Sequence, residues 1–225
     1  MNIESAGTTR WWWVRHAPVP DTVNIYGQHD VDSDTSDAKV FAALAHELPR
    51  DAVWLTSNLK RTHQTAEAIL RAIAAEERRH GEPLRVPEFA EQHLGEWQGM
   101  NRAEFFAARA HISHPFWFGP SHERPPGGES FEDLVARVTP AIEKFSEDFA
   151  GRDVIAVAHG GTIKAAIAHA LKLSPEAGLS FACDNCSVTR LERLSSDGES
   201  LWRVISINHR PWTGAEAIRA ASVMA

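Results

Sequence analysis

Unbroken apolar runs recur along the chain at Trp11-Trp12-Trp13-Val14, Ala52-Val53-Trp54-Leu55-Thr56 and Val154-Ile155-Ala156-Val157-Ala158. Short runs that are apolar at nearly every position, rather than at alternate ones, are the pattern of parallel strands buried on both faces. After the second run, Ala66, Ile69, Leu70 and Ile73 share one face at a helical period, so a strand-to-helix crossover is expected there. Ser130-Phe131-Glu132-Asp133 has the form of a capping box, and Phe131, Leu134, Val135, Val138, Ile142 and Phe145 continue it as an amphipathic helix toward Gly151. Pro140 lies inside that helix, lacks a backbone donor, and predicts a bend or a split. A further helix is expected over 162–173, closed by Ser174-Pro175, and two strand-like segments follow at 187–191 and 202–207. Strands alternating with helices indicate an α/β fold, a three-layer sandwich with a largely parallel central sheet flanked by helices.

What stands at the ends of these strands changes the picture from fold to chemistry. Arg15-His16 follow the first run, Ser57 and Arg61 the second, and His159 with Gly160-Gly161 the third. Open α/β sheets bind their ligands just past the carboxyl ends of such strands, so these groups are expected at one sheet edge. Singly, each has a bland reading as a core histidine or a solvated arginine. Together, two guanidiniums and two imidazoles suit a dianion, because arginine is permanently charged and its planar fork fits phosphate. At an effective dielectric near 20, each unit charge pair about 4 Å apart is worth roughly 4 kcal/mol before desolvation. The expected ligand is a small-molecule phosphate ester.

Four segments then appear in order: Val14-Arg15-His16-Ala17; Ser57-Asn58-Leu59-Lys60-Arg61-Thr62-His63-Gln64-Thr65-Ala66; Glu91 ahead of Leu94-Gly95-Glu96-Trp97-Gln98-Gly99; and Ala158-His159-Gly160-Gly161. In order and spacing they resemble the histidine phosphatase superfamily, also called phosphoglycerate-mutase-like, and the likeness extends to Asn185-Cys186-Ser187-Val188-Thr189. Ala17 stands where the family's first motif usually has glycine, a variant that phosphatases of the family also show. The resemblance implies that His16 is a nucleophile that becomes phosphorylated, that Arg15, Arg61 and His159 hold the phosphoryl oxygens, and that Ser57 orients the site. Arg15 and Arg61 would disfavour the imidazolium form of His16 and keep its lone pair available. Glu91 would be the general acid, then the base that activates water. The chemistry implied needs no metal and no other cofactor. Asn24, Gln28 and Gly160 are further candidates for contacting substrate, with a turn-forming role equally open for Asn24 and Gln28.

Within that family, phosphoglycerate mutases resemble Glu-Arg-x-Tyr-Gly after the acid, whereas this chain reads Glu91-Gln92-His93-Leu94-Gly95, and its one tyrosine is Tyr26. A phosphatase is therefore expected, with a mutase-type phosphoryl transferase or an inactive phospho-ligand-binding module as alternatives. Tyr26-Gly27-Gln28-His29-Asp30 resembles the corresponding stretch of alpha-ribazole phosphatases.

Composition narrows this further. A net charge of −7 argues against general nucleic-acid binding. No apolar stretch approaches the roughly 20 residues that span a bilayer, and the start lacks the basic end and apolar stretch of a signal peptide, so no membrane partner and a cytoplasmic location are expected. With no repeat or composition shift across its 225 residues, the chain reads as one domain, 1–225. Oligomeric state is open, a homo-oligomer included. The segment 111–128 is rich in proline and aromatics, which predicts an irregular, lid-like loop. Its His111-x-x-His114 pair has no third ligand at a fixed spacing, so a metal is not expected. Cys183 and Cys186 form one C-x-x-C that runs into a strand rather than opening a helix, which favours a structural role. A serine hydrolase is excluded because no G-x-S-x-G occurs.

Overall fold

The computed structural model describes residues 7–73, 81–109, 114–196 and 199–213. Six strands, β1 (Thr9–Arg15), β2 (Ala52–Thr56), β3 (Leu84–Arg85), β4 (Asp153–Ala158), β5 (Val188–Ser196) and β6 (Glu199–His209), form one sheet in the order β3-β2-β4-β1-β5-β6. The first four in that order run parallel, while β5 and β6 turn antiparallel to their neighbours. Helices α1 (Ala38–Glu47), α2 (Lys60–Ala72), α3 (Arg102–Ala108), α4 (Phe131–Asp148), α5 (Gly160–Ala170) and the single turn α6 (Pro175–Gly178) fill the connections. None of the described helices is both long and apolar enough to cross a membrane.

Successive side chains of a strand point to opposite faces, and the three tryptophans of β1 divide accordingly. Trp11 and Trp13 stack on one face with ring centroids 4.9 Å apart, within the core that includes Leu134, Val138 and Ile142 of α4 and Ile163 and Ile167 of α5. Trp12 and Val14 enter the opposite core with Phe41 and Leu44 of α1 and Ala66 and Ile69 of α2. A strand buried on both faces must be apolar throughout, which is why β1 and β4 read as unbroken runs. Two of the indole N–H groups find acceptors: Trp11 donates to Ser146 Oγ at 2.9 Å, and Trp12 donates to Asp153 Oδ1 at 2.9 Å.

The sequence expectation for α4 needs correcting at Pro140. One helix runs through it, capped by the Ser130–Asp133 capping box. Proline removes one helical bond and displaces the carbonyl four residues earlier, here that of Ala136. Pro140 and Ala136 are both exposed, so water can take that carbonyl, while Val138, Ala141 and Ile142 keep the opposite face buried. Helix α5 also differs from the expected 162–173, beginning directly at Gly160 and ending at Ala170. Almost all of it is buried, as expected for a helix that is apolar on every side.

Candidate active site

The register of the sheet brings the site together. In the parallel pair of β1 and β4, Arg15 stands opposite Ala158, so the next residues, His16 and His159, emerge side by side with ring centroids 5.2 Å apart. The His16 N–H extends the ladder to Ala158 O at 2.9 Å. From the other side Cys186 N–H donates to Arg15 O and Asn185 Nδ2 donates to His16 O, each within 2.9 Å, so the backbone is held across both neighbours. Ala17 N–H donates to Thr65 Oγ1 of α2 at 2.8 Å.

His16 is buried, and its Nδ1 lies 2.7 Å from Ala17 O. A carbonyl only accepts, so Nδ1 carries the proton and Nε2 presents its lone pair. That Nε2 is buried with no partner. Burial pushes the imidazole pKa well below its ordinary 6.5, helped by Arg61 and then Arg15. The two arginines act in the expected direction, but loss of water is the larger cause. His159 is likewise depressed, first by burial, then by Arg61 and His16. Its Nε2 lies 2.8 Å from Ser57 Oγ, while its Nδ1 is buried and unpartnered. If Ser57 donates to Nε2, Nδ1 bears the proton and becomes a donor toward an oxyanion.

Arg61, fully buried on α2, donates through its two terminal nitrogens to His29 O at 3.0 Å and Gly27 O at 2.7 Å, and packs over the Tyr26 ring. These carbonyls leave Nε without a partner, and the same is true of Arg15 Nε, whose side chain is anchored through Nη1 to Cys183 O at 2.5 Å. Nine buried side-chain nitrogen and oxygen atoms among the described residues lack a partner, and four of them belong to Arg15, His16, Arg61 and His159. Buried polar atoms are nearly always satisfied, so a concentration of orphans in one cluster marks a place built for an incoming polar group. Three of these atoms can donate and one offers a lone pair.

Glu91 reaches the cluster from the segment after β3. Its Oε1 accepts from Gln92 N at 3.0 Å and Gly161 N at 3.1 Å, whereas Oε2 has only a long contact of 3.3 Å with Gly161 N. A side chain at position 161 would strike this carboxylate, since its Cβ would lie 2.3 Å from Oε1. Gly160 faces the same space, its would-be Cβ lying 3.6 Å from Arg15 Nε and 4.0 Å from Glu91 Oε2.

The remaining expectations divide. Gln28 donates from Nε2 to Glu91 O at 2.7 Å, so it braces the acid rather than opening to the cavity. Asn24 is placed away from the cluster, its Nδ2 donating to Asp21 Oδ2 at 2.9 Å in a turn, which is the structural role left open for it. Residues 114–118 line the cavity beside the cluster, and His111 lies outside the described residues. Cys183 and Cys186 point into cores on opposite sheet faces, and burial pushes their thiols up to about 11 and about 12, so neither is poised for redox chemistry. No three His, Cys, Asp or Glu side chains among the described residues are grouped to share a metal ion.

A cavity of about 670 Å³ opens beside Arg15 and Glu91. Tyr26, Lys164 and Arg102 line it, and none of the three was marked by the strand-end pattern. Tyr26, far from Glu91 in sequence, stands with its ring centroid 6.3 Å from that of His16. Lys164 had a readable signal: it lies four residues after Gly160, on the same helical face as a residue already marked.

Comparison with known proteins agrees with this arrangement. The sequence pattern of the histidine phosphatase superfamily (branch 1) matches residues 11–207. A 2,3-bisphosphoglycerate-dependent phosphoglycerate mutase of Gloeobacter violaceus is 34% identical over 133 residues, 56% of this chain and 57% of that protein. That match therefore spans little more than half of the relative's length. Glucosyl-3-phosphoglycerate phosphatase of Mycobacterium tuberculosis is 28% identical over 219 residues, 92% of this chain and 89% of that protein. The native structure of the mycobacterial enzyme superposes with a TM-score of 0.73 at 27% identity, covering 90% of this chain and 99% of that one. Alpha-ribazole phosphatase from Shigella flexneri gives 0.68 at 21% identity over 89% and 96%, a likeness of fold alone. The chain belongs to the histidine phosphatase superfamily.

Proposed function

We propose that this member of the histidine phosphatase superfamily is a phosphomonoester hydrolase that works without a metal, through a phosphohistidine on His16. The observation that carries this reading is His16 Nε2, buried, unprotonated and unpartnered, beside three orphaned donors. The ester's phosphoryl oxygens sit against Arg15 Nε, Arg61 Nε and His159 Nδ1, which offset charge as the transition state forms. Nε2 attacks phosphorus, an N–P bond forms, and the P–O bond to the leaving alcohol breaks. The leaving alkoxide takes a proton from Glu91 Oε2, the oxygen less committed to backbone donors. Water then gives a proton to the same carboxylate and attacks phosphorus, the N–P bond breaks, and orthophosphate leaves with Nε2 restored.

A cytoplasmic setting fits the two buried, unpaired thiols. The mutase relative and the presence of Tyr26 in the cavity favour a second reading, transfer to a sugar acid instead of water. Incubation with a ³²P-labelled phosphoester followed by denaturation should leave an acid-labile, base-stable label on the chain that is absent from His16→Ala. Full turnover by His16→Ala, or turnover abolished by a chelator and restored by a divalent ion, would sink the mechanism. Release of stoichiometric orthophosphate, rather than an isomerised ester, selects hydrolase over mutase. Glucosyl-3-phosphoglycerate, the substrate named for the mycobacterial relative, belongs in the first panel of esters.

A further inference from the structure

The N–H groups of Gln92 and Gly161 hold the Glu91 carboxyl, but residues 90–94, which carry it, belong to no helix or strand and have no ladder to fix their backbone. Ala90, Glu91 and Gln92 are buried, so the carbonyls around them need donors from elsewhere in the fold. Gln28 supplies one to Glu91 O, and the Thr162 hydroxyl lies 3.1 Å from both Phe89 O and Ala90 O. Arg137 of α4 supplies the rest. Its Nη1 donates to Glu88 O at 2.6 Å and Ala90 O at 3.3 Å, and its Nη2 reaches Ala90 O at 3.3 Å and Glu91 O at 3.4 Å. Glu129 takes the other edge of the same guanidinium, accepting from Nε at 3.2 Å and from Nη2 at 2.6 Å. Glu129 is itself tied to the segment. Its Oε1 accepts from His93 N at 3.0 Å, its N–H donates to His93 O at 2.9 Å, and its carbonyl accepts from Gln92 Nε2 at 2.8 Å.

We propose that Arg137, its fork locked by Glu129, is a positioning residue for Glu91: it holds the carboxyl where a proton passes to the leaving alcohol. This rests on the hydrolase reading and deepens its acid step. Stability alone does not account for the pair, whose side chains are 26% and 17% exposed, because a partly exposed ion pair is weak by itself. What distinguishes this one is where its remaining donors go, to the peptides on both sides of the acid. A bidentate carboxylate fixes the plane of a guanidinium, so those peptides are set by α4. Helix and segment are already docked through Phe89, which shares a core with Leu134 and Val138, and Arg137 fixes the chain that follows it. On the far side Gly161 of α5 meets the carboxylate itself, so the acid stands between two packed helices. A catalytic group misplaced by about 1 Å can lose on the order of 10² in rate, which is the sensitivity such a brace would serve.

The test uses phenyl phosphates of closely similar shape that differ in the acidity of the phenol, because proton donation matters more as the leaving group becomes poorer. Arg137→Met should lower kcat/KM about tenfold more on phenyl phosphate than on p-nitrophenyl phosphate, with inhibition by orthophosphate kept within about threefold because no phosphoryl contact is touched. In a Glu91→Gln background the same substitution should cost less than about threefold on either ester, the mark of a residue that acts through Glu91. The charge of Arg137 also adds to the cations that depress His159. Arg137→Lys keeps that charge without the fork, so it should retain most of the selective loss, and it carries the test if Arg137→Met does not fold. A loss uniform across the series, an undiminished loss with Glu91→Gln in place, or full recovery by lysine would overturn the proposal. The Gly161 amide, which donates to Glu91 Oε1, reads the placement without turnover, and its NMR resonance should shift in both variants. A shifted amide in a protein that hydrolyses no phosphoester refutes the hydrolase and upholds the positioning. Turnover by the wild type with an unmoved amide in the variants does the reverse.

Discussion

Two buried neutral histidines should make the protein sensitive to mild acid in a way that can be calculated. In the unfolded chain His16 and His159 take up protons near their ordinary pKa of 6.5, while in the folded protein burial and the neighbouring arginines hold both well below it. Below pH 6.5 the unfolded state therefore binds more protons than the native one, and stability falls as pH falls. Between pH 6.5 and 5.5 each group contributes about 1 kcal/mol to that fall, so the pair contributes about 2 kcal/mol. For a domain of this size that is roughly 4–8 °C in Tm. Guanidinium unfolding in phosphate-free buffer at the two pH values reads it directly. His16→Ala/His159→Ala, compared with the wild type, should lose about 2 kcal/mol less between pH 6.5 and 5.5, each single variant showing about half the effect. The difference between the variants isolates these two imidazoles. A double variant whose stability falls as steeply as the wild type's would show that the two imidazoles are not held neutral, and the nucleophile would lose its physical basis.

Three further outcomes follow from the same geometry. Glu91→Gln preserves an oxygen for the N–H groups of Gln92 and Gly161 but removes the proton, so kcat/KM should fall about 10²- to 10⁴-fold on alkyl phosphates and little on p-nitrophenyl phosphate. With the aryl ester a burst of nitrophenol should precede slow turnover, because the second step still needs a base; equal losses in kcat/KM on both esters would remove Glu91 from the acid role. Gly161→Ala places a Cβ 2.3 Å from Glu91 Oε1 and 2.9 Å from Leu134 Cδ2, and should lower kcat/KM on alkyl phosphates by about tenfold or more through displacement of the acid. Unchanged kinetics there would mean the carboxylate is not held where proton transfer occurs. Arg61→Lys keeps the charge but cannot reach both Gly27 O and His29 O, and should cost about 1–3 kcal/mol of stability together with affinity for orthophosphate, read by thermal shift with and without the ion. A variant with native stability and an undiminished phosphate shift would contradict the role given to the fork.

The candidate cluster could be read from the chain because most of its members stand at strand ends, which have a local signature, whereas Glu91 was marked only by the family's order of motifs. Arg15, His16 and His159 each follow an apolar run, and a buried parallel strand is apolar for reasons internal to the strand. Adjacency of β1 and β4 is a different matter. They are separated by most of the chain, and nothing in either run states that Arg15 pairs with Ala158; the order of motifs typical of the family carried that information. Helices α1 and α3 went unread because their apolar faces are short, and β3 because two exposed residues make no pattern. Pro140 misled for a physical reason, since its cost is paid at one solvent-facing carbonyl while the buried side of α4 is unaffected.

The cavity beyond the phosphoryl group follows another logic. Tyr26, Arg102, the ring cluster at 116–118 and Lys164 come from four segments that touch only once the connections fold over the sheet edge. No periodicity links them, and their spacing along the chain is free to drift as loops change length. The phosphoryl end is bound to strand termini, where a shift of one residue would turn His16 to the other face of the sheet. The rest of the cavity is bound to loops and to one face of α5, where substitution leaves the sheet intact. The residues at the strand ends are therefore legible in the sequence and the cavity lining is not, except at Lys164, which stands on the helix that His159 caps and so keeps a fixed place relative to that residue.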